Sequence, residues 1–362
     1  MAQEAGFDLV GLTPLTRPPH ASHFETWLTA GRHGTMEYLE RNRERIVEPP
    51  LVAPGGKTLL MLGLGHSRPE MERPDGAKIA RYALGRDYHN LMGKRLRSLA
   101  KRLVAEGLAG AALARVDAVP LLERSHAEAA GLGYSSKACN LLHPQFGPWF
   151  FLGELILDVE LAPTPAGPNI SCGTCTACID ACPTGALVGP GELDARKCIS
   201  YQTIEHRGAI PHGMREGIDS WLFGCDICSQ VCPWGHKAPN LSDRFGTHQG
   251  LERHDLLSLV DPGLAGEQLD EDLLGSPMRR AKPEGLARNA AIVLGNRPVD
   301  GGREALLKTL EEHPSAFVRE AAAWSLAHGY GADQGVRPAL DRALEREQGP
   351  IKGWIEQSLD RS

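Results

Sequence analysis

The chain has 362 residues, 42% hydrophobic and 23% charged; at roughly 150 residues per domain this predicts two or three domains with sizeable cores and excludes a small stapled scaffold. With 41 Gly and 26 Pro it is not a low-complexity chain. A formal net charge of −6 repels polyanions over the molecule as a whole, so a nucleic-acid contact requires a local basic patch.

Residues 7 to 161 mix β-rich runs, Phe7-Asp-Leu-Val-Gly-Leu12, Thr58-Leu-Leu-Met-Leu62 and Trp149 to Leu161, with helical stretches, which predicts an α/β domain. Leu91 to Leu108 carries leucines at 91, 96, 99, 103 and 108 among basic residues, a helical stripe that Asp87 or Asn90 caps. Lys94, Arg95 and Lys101 belong on its wet face. The Pro-rich stretch from Ala162 to Pro168 resists both helix and ladder and reads as a domain boundary. No run reaches the roughly 18 apolar residues of a membrane span, and Met1-Ala-Gln-Glu lacks a signal peptide's basic region and apolar core. A cytoplasmic location is therefore expected, with no membrane contact.

Eight of the nine cysteines fall between Cys172 and Cys232. Such crowding suits metal ligation better than a disulfide framework. Cys172-x2-Cys175-x2-Cys178-x3-Cys182-Pro183 has the spacing of bacterial ferredoxins, in which three thiolates hold one cube and the fourth reaches to another. Cys225-x2-Cys228-x3-Cys232-Pro233 lacks a leading cysteine, and Cys198 supplies it. The crossing rule gives one [4Fe-4S] cluster on Cys172, Cys175, Cys178 and Cys232, and a second on Cys182, Cys198, Cys225 and Cys228. Paired Cys-x2-Cys groups also serve zinc, but zinc requires neither the three-thiolate run nor the doubled Cys-Pro. Cys139 is left over and reads as a small buried apolar residue.

Beyond residue 240 helical patterns dominate, and Arg288-Asn-Ala-Ala-Ile is echoed by Arg319-Glu-Ala-Ala-Ala, as in stacked helical pairs of HEAT type. Met278 to Arg288 holds four basic residues against one acid, a local charge suited to phosphates, although ordinary helix ends also carry such charge. Asp117 follows the apolar run Ala111 to Val116 and should end a strand at a cleft, either as a loop or capping residue or as a desolvated acid. Asp87-Tyr88-His89-Asn90-Leu91-Met92-Gly93 nearly matches a corrinoid motif that ligates cobalt through His, but one residue too many precedes the glycine, so it is read as a cap.

Several blocks resemble the epoxyqueuosine reductase family, cobalamin-dependent iron–sulfur enzymes that complete queuosine in tRNA. They are Ala83-Leu-Gly-Arg-Asp87-Tyr-His89, Val116-Asp117 with Glu123-Arg124, Ala130-Gly-Leu-Gly133-Tyr-Ser-Ser-Lys137, Trp149-Phe-Phe-Leu-Gly-Glu154, Cys182-Pro-Thr-Gly-Ala-Leu187, Cys198-Ile-Ser200, Gly224-Cys-Asp226-Ile-Cys228 and Arg288-Asn-Ala. The chain departs from the family at Ser136-Lys137-Ala138-Cys139, where Gly-Lys-Asn is usual. The resemblance implies a cobalamin-binding α/β catalytic domain at 1–165, a ferredoxin-like domain with two [4Fe-4S] clusters at 166–240, and a HEAT-like, tRNA-binding helical region at 241–362. It implies reduction of epoxyqueuosine in the anticodon loop of tRNA by a monomer fed by an external low-potential electron donor. Asp117 becomes the proton donor; Asp117, Ser135, Lys137, Ser200 and Asp226 become cobalamin contacts; Arg279, Arg280, Lys282, Arg288 and Arg297 become tRNA contacts.

Two other functions use parts of this pattern. A corrinoid reductive dehalogenase shares the cofactors, but it usually carries an export signal and needs no helical tail. A ferredoxin-type carrier explains residues 172 to 233 and leaves the N-terminal domain without a task. Replacing Cys198 by Ala should remove about half the iron, because that thiolate serves one cube of two; iron analysis showing undiminished content would strike Cys198 from the ligands.

Overall fold

A computed structural model describes all residues except 118–119, 166, 168–169, 332, 334 and 360–362. The chain divides into two compact units, each assembled from separated stretches: Met1–Pro69, Arg86–Arg196 and Asp226–Gly246 form the first, and Glu70–Gly85, Lys197–Cys225 and Thr247–Ser362 the second. The three contiguous segments expected from the sequence are not the compact bodies. Six of the eight clustered cysteines fall in the first unit, while Cys198 and Cys225 fall in the second.

The first unit is built on a four-stranded antiparallel sheet. Its strands are β1 (Leu9–Pro14), β2 (Thr58–Gly65), β3 (Ala112–Arg115) and β6 (Phe150–Leu157), in the order β1-β2-β6-β3. All eight residues of β2 are buried, because helices cover both faces; this is why the strand reads as a continuous apolar run. Helix α1 (Tyr88–Ala105) presses Met92, Leu96, Leu99 and Leu103 inward, and a side chain at Gly153 would meet Leu96 and Met92 at 3.0 and 3.1 Å. Asp87 caps this helix by accepting from the His89 amide at 3.0 Å. Lys94 and Lys101 are exposed as expected, whereas Arg95 turns back to donate to the Gly6 carbonyl at 2.8 Å. Helix α2 (Glu123–Ala129) packs Ala127 into the core that Leu9, Leu59, Met61 and Ile156 form on the opposite face.

A hairpin of β4 (Tyr134–Ser135) and β5 (Leu141–Leu142) follows. The Pro-rich stretch is not a free linker: Thr164, between two prolines, donates its amide to the Leu12 carbonyl at 2.9 Å and accepts the Leu12 amide on Oγ1 at 2.8 Å. The threonine supplies both groups that its proline neighbours cannot. Ala166 and Pro168 of that stretch lie outside the described residues.

The second unit is mainly helical. Cys198 precedes α3 (Ile199–Ile204), followed by α4 (His212–Ile218) and β7 (Trp221–Phe223), which pairs in parallel with Lys78–Ile79. Its core is α5 (Lys282–Asn296), with α6 (Gly302–Glu312), α7 (Ala316–Tyr330) and α8 (Val336–Arg346). The sequence echo falls on α5 and α7, which approach closely: a side chain at Gly329 would meet the Gly295 carbonyl at 2.5 Å. Glu320 on α7 is fully buried and accepts from Arg215 at 2.6 Å and from His212 at 2.9 Å. Among the described residues, no helix is long and apolar enough to cross a membrane.

Arg288 is only 3% exposed. It donates to the carbonyls of Gln202 (2.7 Å), His206 (3.0 Å) and Gly208 (2.6 Å), tying α5 to the segment after α3. Its expected contact with a phosphate is therefore corrected: a guanidinium committed to three carbonyls inside the fold cannot reach one. Arg288→Ala should cost roughly 3 kcal/mol or more, since each stranded buried acceptor costs ~1–3, whereas Arg280→Ala, which breaks an exposed pair, should cost under ~1. Urea midpoints of the two variants compare them.

Candidate functional site

The first unit carries two chemically distinct groups. One is the cysteine centre. The two Cys-x2-Cys-x3-Cys-Pro loops repeat each other turn for turn: Ala177–Asp180 and Ile227–Gln230 are matching short helices. The Cys182 and Cys232 amides donate to Ile179 and Ser229 carbonyls (3.3 and 3.4 Å), and Gly185 and Gly235 return to Cys182 and Cys232 (3.2 and 2.9 Å). Proline after the last cysteine ends each helix. The result is a cavity lined by Cys172, Cys175, Cys178 and Cys232, together with Cys228, Asn140 and Trp234. The crossing set expected from spacing thus meets at one cavity.

Among the described residues, no three His, Cys, Asp or Glu donors converge on one point. Lys137 braces the first loop, its Nζ donating to the carbonyls of Gly173 at 2.7 Å and Cys175 at 2.9 Å. Of the other predicted set, Cys182 and Cys228 lie in this unit, and Cys198 and Cys225 in the other. Cys139 is half-buried with a left-handed backbone at φ 63°, and its carbonyl accepts from Arg124. It is a turn residue rather than the core residue expected.

The second group surrounds Asp117. Strand β3 ends at Arg115, and Asp117 follows with φ 48°, a conformation uncommon for any residue but glycine. Its amide donates to Glu123 Oε1 at 3.0 Å at the start of α2. Its carboxylate accepts from the Tyr88 hydroxyl at 3.0 Å and lies 3.5 Å from His89 Nε2, both at the start of α1. Tyr88 is held flat, stacked on Phe151 at 4.0 Å and on His89 at 4.1 Å. Asp117 and Asp87, on either side of the imidazole, raise the His89 pKa to about 9, so the ring is a cation at neutral pH.

The Asp117 side chain is 61% exposed, which corrects the desolvation expected of it. Behind it stand the buried Glu154 and the half-buried Glu123. Glu154 on β6, opposite Arg115, is completely buried, and its oxygens have no protein donor. Burial, then the charges of Glu123 and Asp117, push its pKa well above the usual carboxylate range. Burial and the Asp117 charge raise Glu123 to about 7. Two contacting carboxyls cannot both ionise there, so the pair retains a proton directly behind the exposed one. Sequence reasoning gave Glu123, Glu154, Tyr88 and His89 no role. The available signal was a lone acid inside the apolar run Trp149–Leu157, because Glu is almost never buried without a reason.

The remaining predicted residues are scattered. Ser135 donates both its amide and Oγ to Glu128, at 2.8 and 2.6 Å. Asp226 is buried at the start of the second loop's helix, and Ser200 sits in α3 of the other unit. The basic segment is charge-compensated by acids distant in sequence: Arg279 pairs with Asp270, Arg280 with Glu205 through two 2.9 Å bonds, and Arg297 with Asp219 at 2.7 Å. Lys282 is exposed. Counting local charge missed these partners because folding, not sequence, brings them near.

Known proteins resemble this chain over most of its length. Residues 171–235 match a family described as a 4Fe-4S double cluster binding domain, and residues 47–118 match one described as Epoxyqueuosine reductase QueG, DUF1730. The epoxyqueuosine reductase of Pseudomonas aeruginosa is 41% identical over 90% of this chain and 92% of its own length. That of Xanthomonas campestris is 41% identical over 91% and 94%. Among solved structures, one of an epoxyqueuosine reductase with an epoxyqueuosine-modified tRNA-Tyr stem loop aligns with TM-score 0.85 at 26% identity, covering 99% of this chain and 96% of that one. A Bacillus subtilis reductase, described with its aspartate catalytic loop swung out of the active site, aligns with TM-score 0.83 over the same shares at 26% identity. The chain belongs to the epoxyqueuosine reductase family.

Proposed function

We propose that this chain reduces epoxyqueuosine to queuosine in the anticodon loop of tRNA. Two electrons and two protons enter, the epoxide C–O bonds are exchanged for a C=C bond, and the oxygen leaves as water. The observation that carries this reading is one compact unit holding both a cavity lined by five cysteines and an exposed carboxylate backed by a carboxyl pair whose pKa values are raised. Electrons alone do not complete the reaction, because the oxygen released from carbon must be protonated.

Asp117 is the residue that delivers that proton. Support comes from its exposure at the head of β3, from the Tyr88 hydroxyl that orients its carboxylate, and from the solved relative whose catalytic aspartate loop moves. His89, held as a cation, balances the developing negative charge beside it. Glu123, joined to Asp117 through the backbone amide, sits where it replenishes the proton from behind.

The crossed cysteine sets would hold two [4Fe-4S] clusters, which would supply single-electron transfer from a low-potential donor. When bound, cobalamin supplies a strong nucleophile or reductant toward a strained C–O bond. The residues expected to hold it fit only in part. Ser135 and Lys137 are engaged with Glu128 and with the first cysteine loop, whereas Asp117 presents an exposed carboxylate. The helices from α5 to α8 form a HEAT-like stack, and Arg279, Arg280, Lys282 and Arg297 contact the tRNA by exchanging carboxylate partners for phosphates.

Asp117→Asn keeps the size and the hydrogen bond but has no proton to give. It should lower turnover of an epoxyqueuosine stem loop by roughly 10²–10⁴-fold, the worth of a positioned acid, with iron content unchanged; undiminished turnover excludes Asp117. The rate of the parent should also fall as pH rises through about 7, where Glu123 loses its proton. A rate flat between pH 6 and 9 would contradict a proton stored there.

A further inference from the structure

The hairpin of β4 and β5 brings polar groups to the cluster cavity that neither the cysteine spacing nor the proton-transfer site explains. Alternation along β4 turns Ser135 to solvent and Tyr134 inward, leaving Tyr134 only 8% exposed. The ring packs edge-on to Trp234, with centroids 6.3 Å apart. The phenol oxygen is buried with no conventional hydrogen-bond partner. The group it faces is the Cys172 thiol, with Cys232 and Cys175 beyond.

A buried tyrosine hydroxyl normally finds an acceptor, and among the described residues the groups set against this one are sulfurs of the first cluster set. Lys137, three residues along the same hairpin, places its ammonium on the Cys175 carbonyl at 2.9 Å. The hairpin therefore aims an O–H dipole and a positive charge at one loop.

We propose that Tyr134 is a positioning residue for the cluster held by Cys172, Cys175, Cys178 and Cys232: its hydroxyl donates to the Cys172 sulfur and raises the reduction potential of that cluster relative to the other. Adding an electron makes the cube and its thiolates more negative, so a donor to sulfur favours the reduced form. The effect is local, since the thiols set against the phenol, Cys172, Cys232 and Cys175, all belong to this set. It makes this cube more readily reduced than its cysteines alone would make it.

The inference rests on the iron–sulfur reading of the cavity, and the experiment separates the two. The anaerobically purified holoprotein and its Tyr134→Phe variant are compared by iron analysis and by redox titration followed by electron paramagnetic resonance. Iron should be unchanged in the variant. One cluster should move to lower potential by up to about a tenfold fall in its one-electron reduction constant, which is 59 mV, and the other should stay. Tyr134→Trp, which keeps a ring N–H donor, should move it less. Identical potentials in parent and Tyr134→Phe, or equal shifts of both clusters, would overturn the assignment. So would loss of iron from the phenylalanine variant with unchanged helical content, which would make Tyr134 a packing residue. A parent lacking about eight irons, the content of two cubes, would instead overturn the iron–sulfur reading itself.

Discussion

The arrival of Cys232 beside Cys172, Cys175 and Cys178 is the constraint on which the rest of the first unit depends. Three thiolates from one loop leave one corner of a cube without a ligand, and the fourth comes from a loop distant in the chain. Both loops must therefore be held in fixed relation before any cluster is bound. The unit does this with ordinary hydrogen bonds: Lys137 pins the first loop by its carbonyls, Asn140 donates to Ser229 at 3.2 Å on the second, and Trp149 Nε1 donates to the Gly235 carbonyl at 3.2 Å. The residues between β4 and β6 thus serve as the template for the cysteine centre.

The same sheet carries the proton chemistry. Strand β6 runs from the Trp149 brace to Glu154, and its register sets Glu154 opposite Arg115, two residues before Asp117. One element therefore connects the support of the cysteine loops to the buried acid behind the exposed one. Burying Glu154 is costly unless it holds a proton, and that cost gives the pair a pKa useful near neutral pH. The left-handed backbone of Asp117 is a further local strain kept at this place.

Much of this was legible in the sequence, for physical reasons that differ by residue. The cysteine spacing was readable because metal geometry dictates it directly. The stripe of α1, with the Asp87 cap, was readable because period and capping are local. The burial of Arg288 was not, since the carbonyls it satisfies belong to residues 202 to 208, and nothing near it in sequence signals them. The compensated charges of Arg279, Arg280 and Arg297 escaped in the same way. Asp117 was found, but its environment was inverted: the exposed acid is the one that touches solvent, and the desolvated acids are Glu123 and Glu154, which only the strand pairing and the start of α2 bring together.

The proposed reaction couples single-electron delivery to protonation of an opening epoxide within one chain. The direct measurement is mass spectrometry of an epoxyqueuosine-modified tRNA stem loop after anaerobic incubation with the iron-loaded, cobalamin-supplied protein and a low-potential one-electron donor. The modified base should lose one oxygen atom, dependent on both the donor and cobalamin. Full iron and corrinoid occupancy with no change in the mass of the base would contradict it.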